Sequence, residues 1–175
     1  MPLLVVVVAL LSALLLGACA APARMSEMIV DDPGAAKLNN SELVGAIEIR
    51  NVTGGEDTNP MWTSEVSNQE FHDALSASLS KHHLLSTDAA SSRFTLDANL
   101  LGVAQPAFGF DMTVTTHVNY TLLAAPSGTP YLAETVSADF TAGVGDAFIG
   151  VERLRLANEG SIKANIQKFL EMFYR

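Results

Sequence analysis

Few residues in this sequence could carry out chemistry: one cysteine, Cys19, and four histidines, His72, His82, His83 and His117. A cysteine becomes a nucleophile when a histidine beside it takes its proton, but Cys19 directly follows an apolar run and lies outside any predicted core. The histidines form no H-E-x-x-H zinc pattern. The side chains of His82 and His83 would also point about 100° apart on a predicted helix. We therefore predict no catalytic residue, no metal site and no cofactor.

The segment before the cysteine is apolar. Residues 3–16 contain no charged side chain, and small residues follow them directly. This pattern is typical of the hydrophobic region of a secretory signal peptide. A transmembrane helix is the alternative, because the uncharged stretch continues to Ala23 and about 20 apolar residues can span a bilayer. No Lys or Arg precedes the run, which leaves this alternative open, whereas the small residues and Pro22 favour a cleaved signal.

The residues that end at the cysteine resemble a bacterial lipobox: Leu16, Gly17, Ala18 and Cys19. The resemblance implies a signal peptide over residues 1–18, a diacylglyceryl group on the Cys19 sulfur and an acyl group on its new amino terminus. Several acyl chains together anchor a protein durably in a membrane. Ala20, which follows the cysteine, is typical of lipoproteins sorted to the periplasmic face of the outer membrane. The implied partner of Cys19 is therefore that membrane.

The rest of the chain fits one domain behind a tether. Residues 19–40 mix Pro, Gly, Asp and Asn with little periodicity, which predicts a flexible tether that begins at the lipidated cysteine. Residues 41–175 are long enough for one globular domain. The formal net charge is −9, with 19 acidic and 10 basic side chains. Such a chain repels long tracts of phosphate, so we exclude nucleic acid as a partner.

Hydrophobic periodicity predicts six elements in this domain. The predicted strands cover residues 43–52, 93–103, 112–123 and 131–140, and the predicted helices cover residues 67–85 and 151–173. The first helix begins with a capping box, Ser67-Asn68-Gln69-Glu70. The order β-α-β-β-β-α predicts an α+β fold. We expect a two-layer sandwich in which two helices cover one face of a four-stranded, mostly antiparallel sheet.

The other face of this sheet is predicted to be open and polar. Thr113, Thr115, His117 and Asn119 alternate with apolar residues along the third predicted strand. Trp62, the only tryptophan, lies in the loop after the first strand; tryptophan is enriched at binding hot spots, although it also fills the edges of small cores. We predict these five residues as partner-binding residues. Four polar residues of the last helix are expected to contact the Trp62 loop: Asn158, Glu159, Ser161 and Asn165.

The element order is similar to that of several small periplasmic lipoproteins. They include the plug-like lipoprotein partner of the lipopolysaccharide translocon, activators of peptidoglycan synthases, and the N-terminal domains of curli-secretion-type lipoproteins. The resemblance implies a non-enzymatic accessory factor that binds an envelope protein during cell-envelope assembly or maintenance. A module that binds glycan or lipopolysaccharide is the alternative, and an acyltransferase or hydrolase is a third, less supported interpretation.

Two phrases of the sequence also resemble a group of uncharacterised alphaproteobacterial envelope lipoproteins. They are GGEDTNPMWTSEV, residues 54–66, and ANEGSIKANIQKFL, residues 157–170. Some members of that group are labelled as acyltransferases of UDP-N-acetylglucosamine. Those enzymes resemble left-handed β-helices built from hexapeptide repeats, and this sequence contains no such repeat. The label is therefore not supported by the residues present.

Overall fold

The computed structural model describes residues 20–31, 36–59, 64–107 and 109–174. Its helices are α1 (Met25–Met28), α2 (Asn68–Lys81) and α3 (Gly150–Glu171), and its strands are β1 (Ile47–Thr53), β2 (Phe94–Ala104), β3 (Met112–Ala124) and β4 (Thr129–Ala142). Short 3₁₀ turns occupy Ser41–Leu43 and Ala89–Ser91. Within the described ranges, no helix has the length and hydropathy needed to cross a membrane.

The four strands form one sheet in the order β1-β2-β3-β4. β1 runs parallel to β2, whereas β2 with β3 and β3 with β4 are antiparallel. A parallel pair needs a long crossover connection, and α2 lies in the connection between β1 and β2. The predicted α+β class and the mostly antiparallel four-stranded sheet are thus confirmed.

Two predicted element limits differ from the structure by four residues. β1 begins at Ile47 rather than at residue 43, because Leu43 lies in a 3₁₀ turn and Gly45 has a left-handed φ of +59°. α2 begins with the predicted capping box, in which the Ser67 side chain accepts from the Glu70 amide. It ends at Lys81 rather than at residue 85, because His83 has a φ of +58° and turns the chain away from the helix.

The main core lies between the helices and one face of the sheet. α2 contributes the buried side chains of Phe71, Leu75 and Leu79. From the sheet, the Tyr120 ring of β3 stacks on the Phe169 ring of α3, with ring centroids 4.0 Å apart. Since residues of both long helices belong to one buried cluster, α2 and α3 cover the same face of the sheet.

The described part of the predicted tether is packed rather than flexible, which corrects that expectation for residues 20–31. α1 contacts both α2 and α3, and Met28 is fully buried in the core. The Val30 amide donates to the Ser78 hydroxyl at 3.0 Å. The Arg24 amide donates to the buried Glu159 carboxylate at 2.8 Å. The segment contains too few apolar residues to show a hydrophobic period in the sequence. Their burial is nevertheless enough to attach the segment to the helices.

Several predictions lie outside the described residues. They are the signal peptide over residues 1–18, the lipobox residues Leu16, Gly17 and Ala18, the lipidated Cys19, and Trp62. These stay predictions from the sequence.

Candidate functional site

The alternation of β3 directs its side chains to the two faces of the sheet in turn. The even-numbered residues from 112 to 122 are buried under the helices. Thr113 and His117 are exposed on the opposite face, and Thr115 and Asn119 are half-buried there. The structure therefore brings the four predicted residues of β3 together on the face that the described helices leave open.

Most of these side chains bond across to β4. Thr113 pairs with Thr141, His117 with Ser137, and Asn119 with Thr135, at 2.8, 2.6 and 3.2 Å between the bonded atoms. Thr115 lies opposite Asp139 in the strand register. Cross-strand pairs of this kind hold hydroxyl and amide groups in fixed positions on a pleated surface.

The other half of the open face contains an ion pair. Arg50 of β1 donates to the Asp97 carboxylate of β2, with Nε and Oδ1 2.9 Å apart, and Asn51 donates to the same oxygen at 3.1 Å. The Arg50 guanidinium, with help from Asn51, lowers the pKa of Asp97 below its ordinary value. Asp97 therefore stays ionised, and its charge is neutralised locally.

The β3–β4 half carries little charge. We call it the threonine face, and it consists of Thr113, Thr115, His117, Asn119, Thr121, Ala133, Thr135, Ser137, Asp139 and Thr141. This set contains one carboxylate, that of Asp139, and no Lys or Arg. Hydroxyl groups cost far less to remove from water than charged groups do, and Lys, Glu and Asp are depleted at the centres of protein interfaces. The threonine face is therefore suited to contact with another macromolecule.

The larger clefts lie beside the helices rather than on this face. One, of about 410 Å³, is lined by Asp31, His82, Lys163 and Tyr174 among others. Another, of about 270 Å³, lies between the N-terminal segment and the start of α3. In the part of the chain that the structure describes, no three His, Cys, Asp or Glu side chains come together in a way that could hold a metal ion.

The loop that contains Trp62 is tied to α3 at its described end. The Asn158 side chain donates to the Ser64 carbonyl at 2.5 Å, and the Gln105 side chain donates to the same carbonyl at 3.2 Å. Asn158 thus contacts the loop as expected. Among the described residues, the other three polar residues of α3 bond elsewhere: Glu159 binds Arg24 and Arg155, whereas Ser161 and Asn165 bind the sheet.

Sequence reasoning missed a buried polar cluster between α3 and the sheet. The Asn165 amide nitrogen donates to the carbonyls of Thr116 and Val136 at 3.2 and 3.0 Å, and its oxygen accepts from the Tyr120 hydroxyl at 3.1 Å. The Ser161 hydroxyl donates to the Ala138 carbonyl at 3.0 Å. Burial raises the pKa of Tyr120, so its phenol stays neutral.

The sequence does contain a signal for this cluster. Thr116 stands on the buried side of the alternation in β3, and Ser161 and Asn165 are spaced by one helical turn on the packed side of α3. Polar residues in such positions must hydrogen-bond to each other or to the backbone.

The fold occurs in solved structures, although no protein-family model matches the chain and no curated protein matches its sequence. A crystal structure of a candidate lipoprotein from Caulobacter crescentus CB15 aligns with a TM-score of 0.51 at 12% identity, covering 74% of this chain and 88% of the other. A Xanthomonas campestris protein of the family DUF330 aligns with a TM-score of 0.62 at 9% identity, covering 81% and 89%. At these identities the likeness concerns the fold alone.

Proposed function

We propose that this protein is a non-enzymatic lipoprotein anchored through Cys19 at the periplasmic face of the outer membrane, where its threonine face binds a protein partner in cell-envelope assembly or maintenance. The observation that carries the proposal is the threonine face itself. It is a polar, nearly uncharged surface on a sheet whose other side is covered by the helices.

The chemistry of the threonine face supports a protein partner. Its hydroxyl and amide groups both donate and accept hydrogen bonds, so they can match the polar groups of a second protein surface. Their existing cross-strand bonds fix the side chains in advance, which lowers the entropy lost on binding. The net charge of the chain is −9, and the threonine face differs from the chain as a whole because it carries little charge.

The anchor is supported by the lipobox resemblance of residues 16–19 and by the apolar run before it. A fold shared with a candidate lipoprotein from Caulobacter crescentus is consistent with this assignment. The domain would then lie close to its membrane, because residues 20–31 are packed on α2 and α3.

The anchor is tested by metabolic labelling with an alkyne analogue of palmitate. Since Cys19 is the only cysteine, the Cys19→Ala variant should lose the sulfur-linked label and accumulate as an uncut precursor. Labelling of that variant at the level of the unaltered protein would contradict the proposal.

The partner is tested by a photo-crosslinking amino acid placed at position 117 in intact cells. Exposed Gln69 on α2 is the matched control position on the helical side. We expect a discrete protein adduct from position 117 and none from position 69. The same adduct from both positions would contradict a role for the threonine face, and an adduct that carries glycan or lipopolysaccharide would favour the alternative module.

A charge on the threonine face should weaken the contact. Thr135→Lys would place an ammonium group in the interface opposite Asn119, with no carboxylate across from it, and we expect about a tenfold loss of the adduct, because a buried unpaired charge is costly. Gln69→Lys adds the same charge elsewhere and should leave the yield unchanged. Equal yields from the two variants would show that the partner binds another surface.

A further inference from the structure

Large apolar side chains are exposed at one end of the molecule. Phe148 is 91% exposed and Phe110 is 83% exposed, and Val144 and Ile149 are exposed beside them in sequence. We call these four residues the loop patch. Single exposed apolar residues are common on protein surfaces, but several of them grouped at one end indicate an interaction site.

The two loops that carry these residues are held together by one arginine. Phe110 lies in the loop from β2 to β3, and the other three residues lie in the loop from β4 to α3. The buried Arg153 side chain donates to the Phe148 carbonyl at 2.8 Å and to the Gly109 carbonyl at 3.4 Å. Arg153 therefore holds the backbones of the two loops next to each other, so the residues of the loop patch lie at the same end of the sheet.

The described start of the chain reaches the same end of the molecule. Ala21 and Pro22 line the 270 Å³ cleft together with Ile149 and Val151. Cys19 stands two residues before Ala21, so their Cα atoms are separated by roughly 7 Å at most. An acyl group on Cys19 would thus leave the protein close to the loop patch.

We infer that the loop patch rests in the lipid leaflet that receives the acyl chains of Cys19, so that the domain docks on the membrane surface in one orientation. This inference rests on the proposed anchor. Apolar side chains of surface-bound proteins enter the boundary between headgroups and acyl chains by about 5–10 Å. The occupant is lipid rather than a protein because Ile149 of the patch lines the same cleft as Ala21 and Pro22, which closely follow the acylated cysteine.

The contact is apolar rather than electrostatic. The net charge of −9 gives no general attraction to anionic lipids. Arg24 and Arg155, which line the cleft, are paired with the buried Glu159. Docking should therefore need no anionic lipid, and the exposed Asp111 and Asp146 of the same two loops should oppose a strongly anionic surface.

The inference is tested on the full acylated protein. In the Phe148→Cys variant the introduced cysteine is the single free thiol, because lipid blocks Cys19, and it can carry an environment-sensitive fluorophore. Val44→Cys is the matched control, because Val44 is also an exposed apolar residue but precedes β1 at the opposite end of the sheet. Both proteins are reconstituted in phosphatidylethanolamine–phosphatidylglycerol vesicles, and attachment is measured separately by flotation.

We expect blue-shifted emission at position 148 and roughly twofold stronger quenching by nitroxide-labelled lipids than at position 44, since the loop patch reaches the acyl boundary. Flotation with equal emission and quenching at both positions would overturn the inference and leave the anchor intact. A shift that appears only in cell envelopes and not in pure lipid would overturn it in favour of a protein partner. Failure of the protein to acquire lipid on Cys19 would overturn both the anchor and the docking.

Discussion

The two faces of β3 contain similar polar residues in very different situations. Thr116 and its cluster partner Asn165 are fully buried on the helical face and bond to the backbone of the sheet. On the opposite face, His117 bonds to Ser137 and Asn119 bonds to Thr135 and Thr121. These partners are side chains rather than backbone groups, and both residues remain accessible to water. The comparison separates polar residues that stabilise the fold from polar residues that are available for binding.

This difference has a physical origin in solvation. A buried amide that loses its partners cannot form hydrogen bonds with water instead, so the full cost of its desolvation is subtracted from the free energy of unfolding. An amide on the open face exchanges a protein hydrogen bond for a bond to water at little cost. Substitutions on the two faces should therefore affect different measurements.

Asn165→Ala should have the largest effect on stability. It leaves the Tyr120 hydroxyl without its Asn165 acceptor and removes a donor from the Thr116 and Val136 carbonyls, so we expect a loss of about 3 kcal/mol in the free energy of unfolding. Asn119→Ala deletes the same side chain on the open face and should cost about 0.5 kcal/mol or less. Urea denaturation followed by circular dichroism measures both. Equal losses would remove the distinction between the faces.

Glu159→Ala extends the comparison to the N-terminal segment. The Glu159 carboxylate, 3% exposed, joins Arg155 at 2.8 Å and Arg24 at 3.2 Å. We expect a loss of about 2 kcal/mol and faster tryptic cleavage after Arg24. Glu152→Ala removes a 49% exposed partner of the same Arg155 and should cost about 0.5 kcal/mol or less. Cleavage at an unchanged rate would mean that other contacts hold residues 20–31.

Gly160→Ala tests how closely α3 packs on β4. A Cβ atom at Gly160 would lie 2.3 Å from Cγ of Phe140, so overpacking should outweigh the gain in helix propensity and leave a net loss of about 1 kcal/mol. In a Phe140→Ala background the obstacle is gone, and Gly160→Ala should then stabilise the protein. Thermal denaturation of the unaltered protein, the two single variants and the double variant measures these effects. If Gly160→Ala raised the melting temperature of the protein that keeps Phe140, the close contact would be disproved.

The smallest effect is expected at the ion pair of the open face. Because Arg50 holds the pKa of Asp97 below its ordinary value of 3.8, the stability that the charged Asp97 contributes is present above that value. It is lost as pH falls through the lower pKa of the folded state. Asp97→Asn should therefore differ from the unaltered protein in urea midpoint at about pH 5 and converge with it at about pH 2. If the difference in urea midpoint between the two proteins stayed constant across this pH range, the charge of Asp97 would not be the cause of the stabilisation.

The element order could be predicted from the sequence because each strand has one apolar face and each long helix has an apolar stripe. The limits of β1 and α2 could not, since they depend on the left-handed conformations of Gly45 and His83. The packing of residues 20–31 was also missed, because it depends on the space that α2 and α3 leave between them.

The candidate site was predictable to a similar extent. Period-two alternation was enough to place Thr113, Thr115, His117 and Asn119 on one face. The buried cluster and the loop patch were not found, because each combines residues that are distant in the sequence. Arg153, for example, joins the two loops of the patch only after the sheet has brought their ends together.

The polar side chains of α3 have one more consequence, which concerns β4 as the outermost strand of the sheet. Three consecutive carbonyls of β4 already accept hydrogen bonds from α3: Val136 from Asn165, Ser137 from Lys168 and Ala138 from Ser161. An edge strand with unpaired acceptors can form hydrogen bonds with a strand of a neighbouring molecule, and such pairing starts aggregation. Successive carbonyls of a strand point to its two sides in turn, so at least one of these three lies on the free edge of β4. The bond from α3 occupies that acceptor, so copies crowded side by side on a surface are less able to join edge to edge.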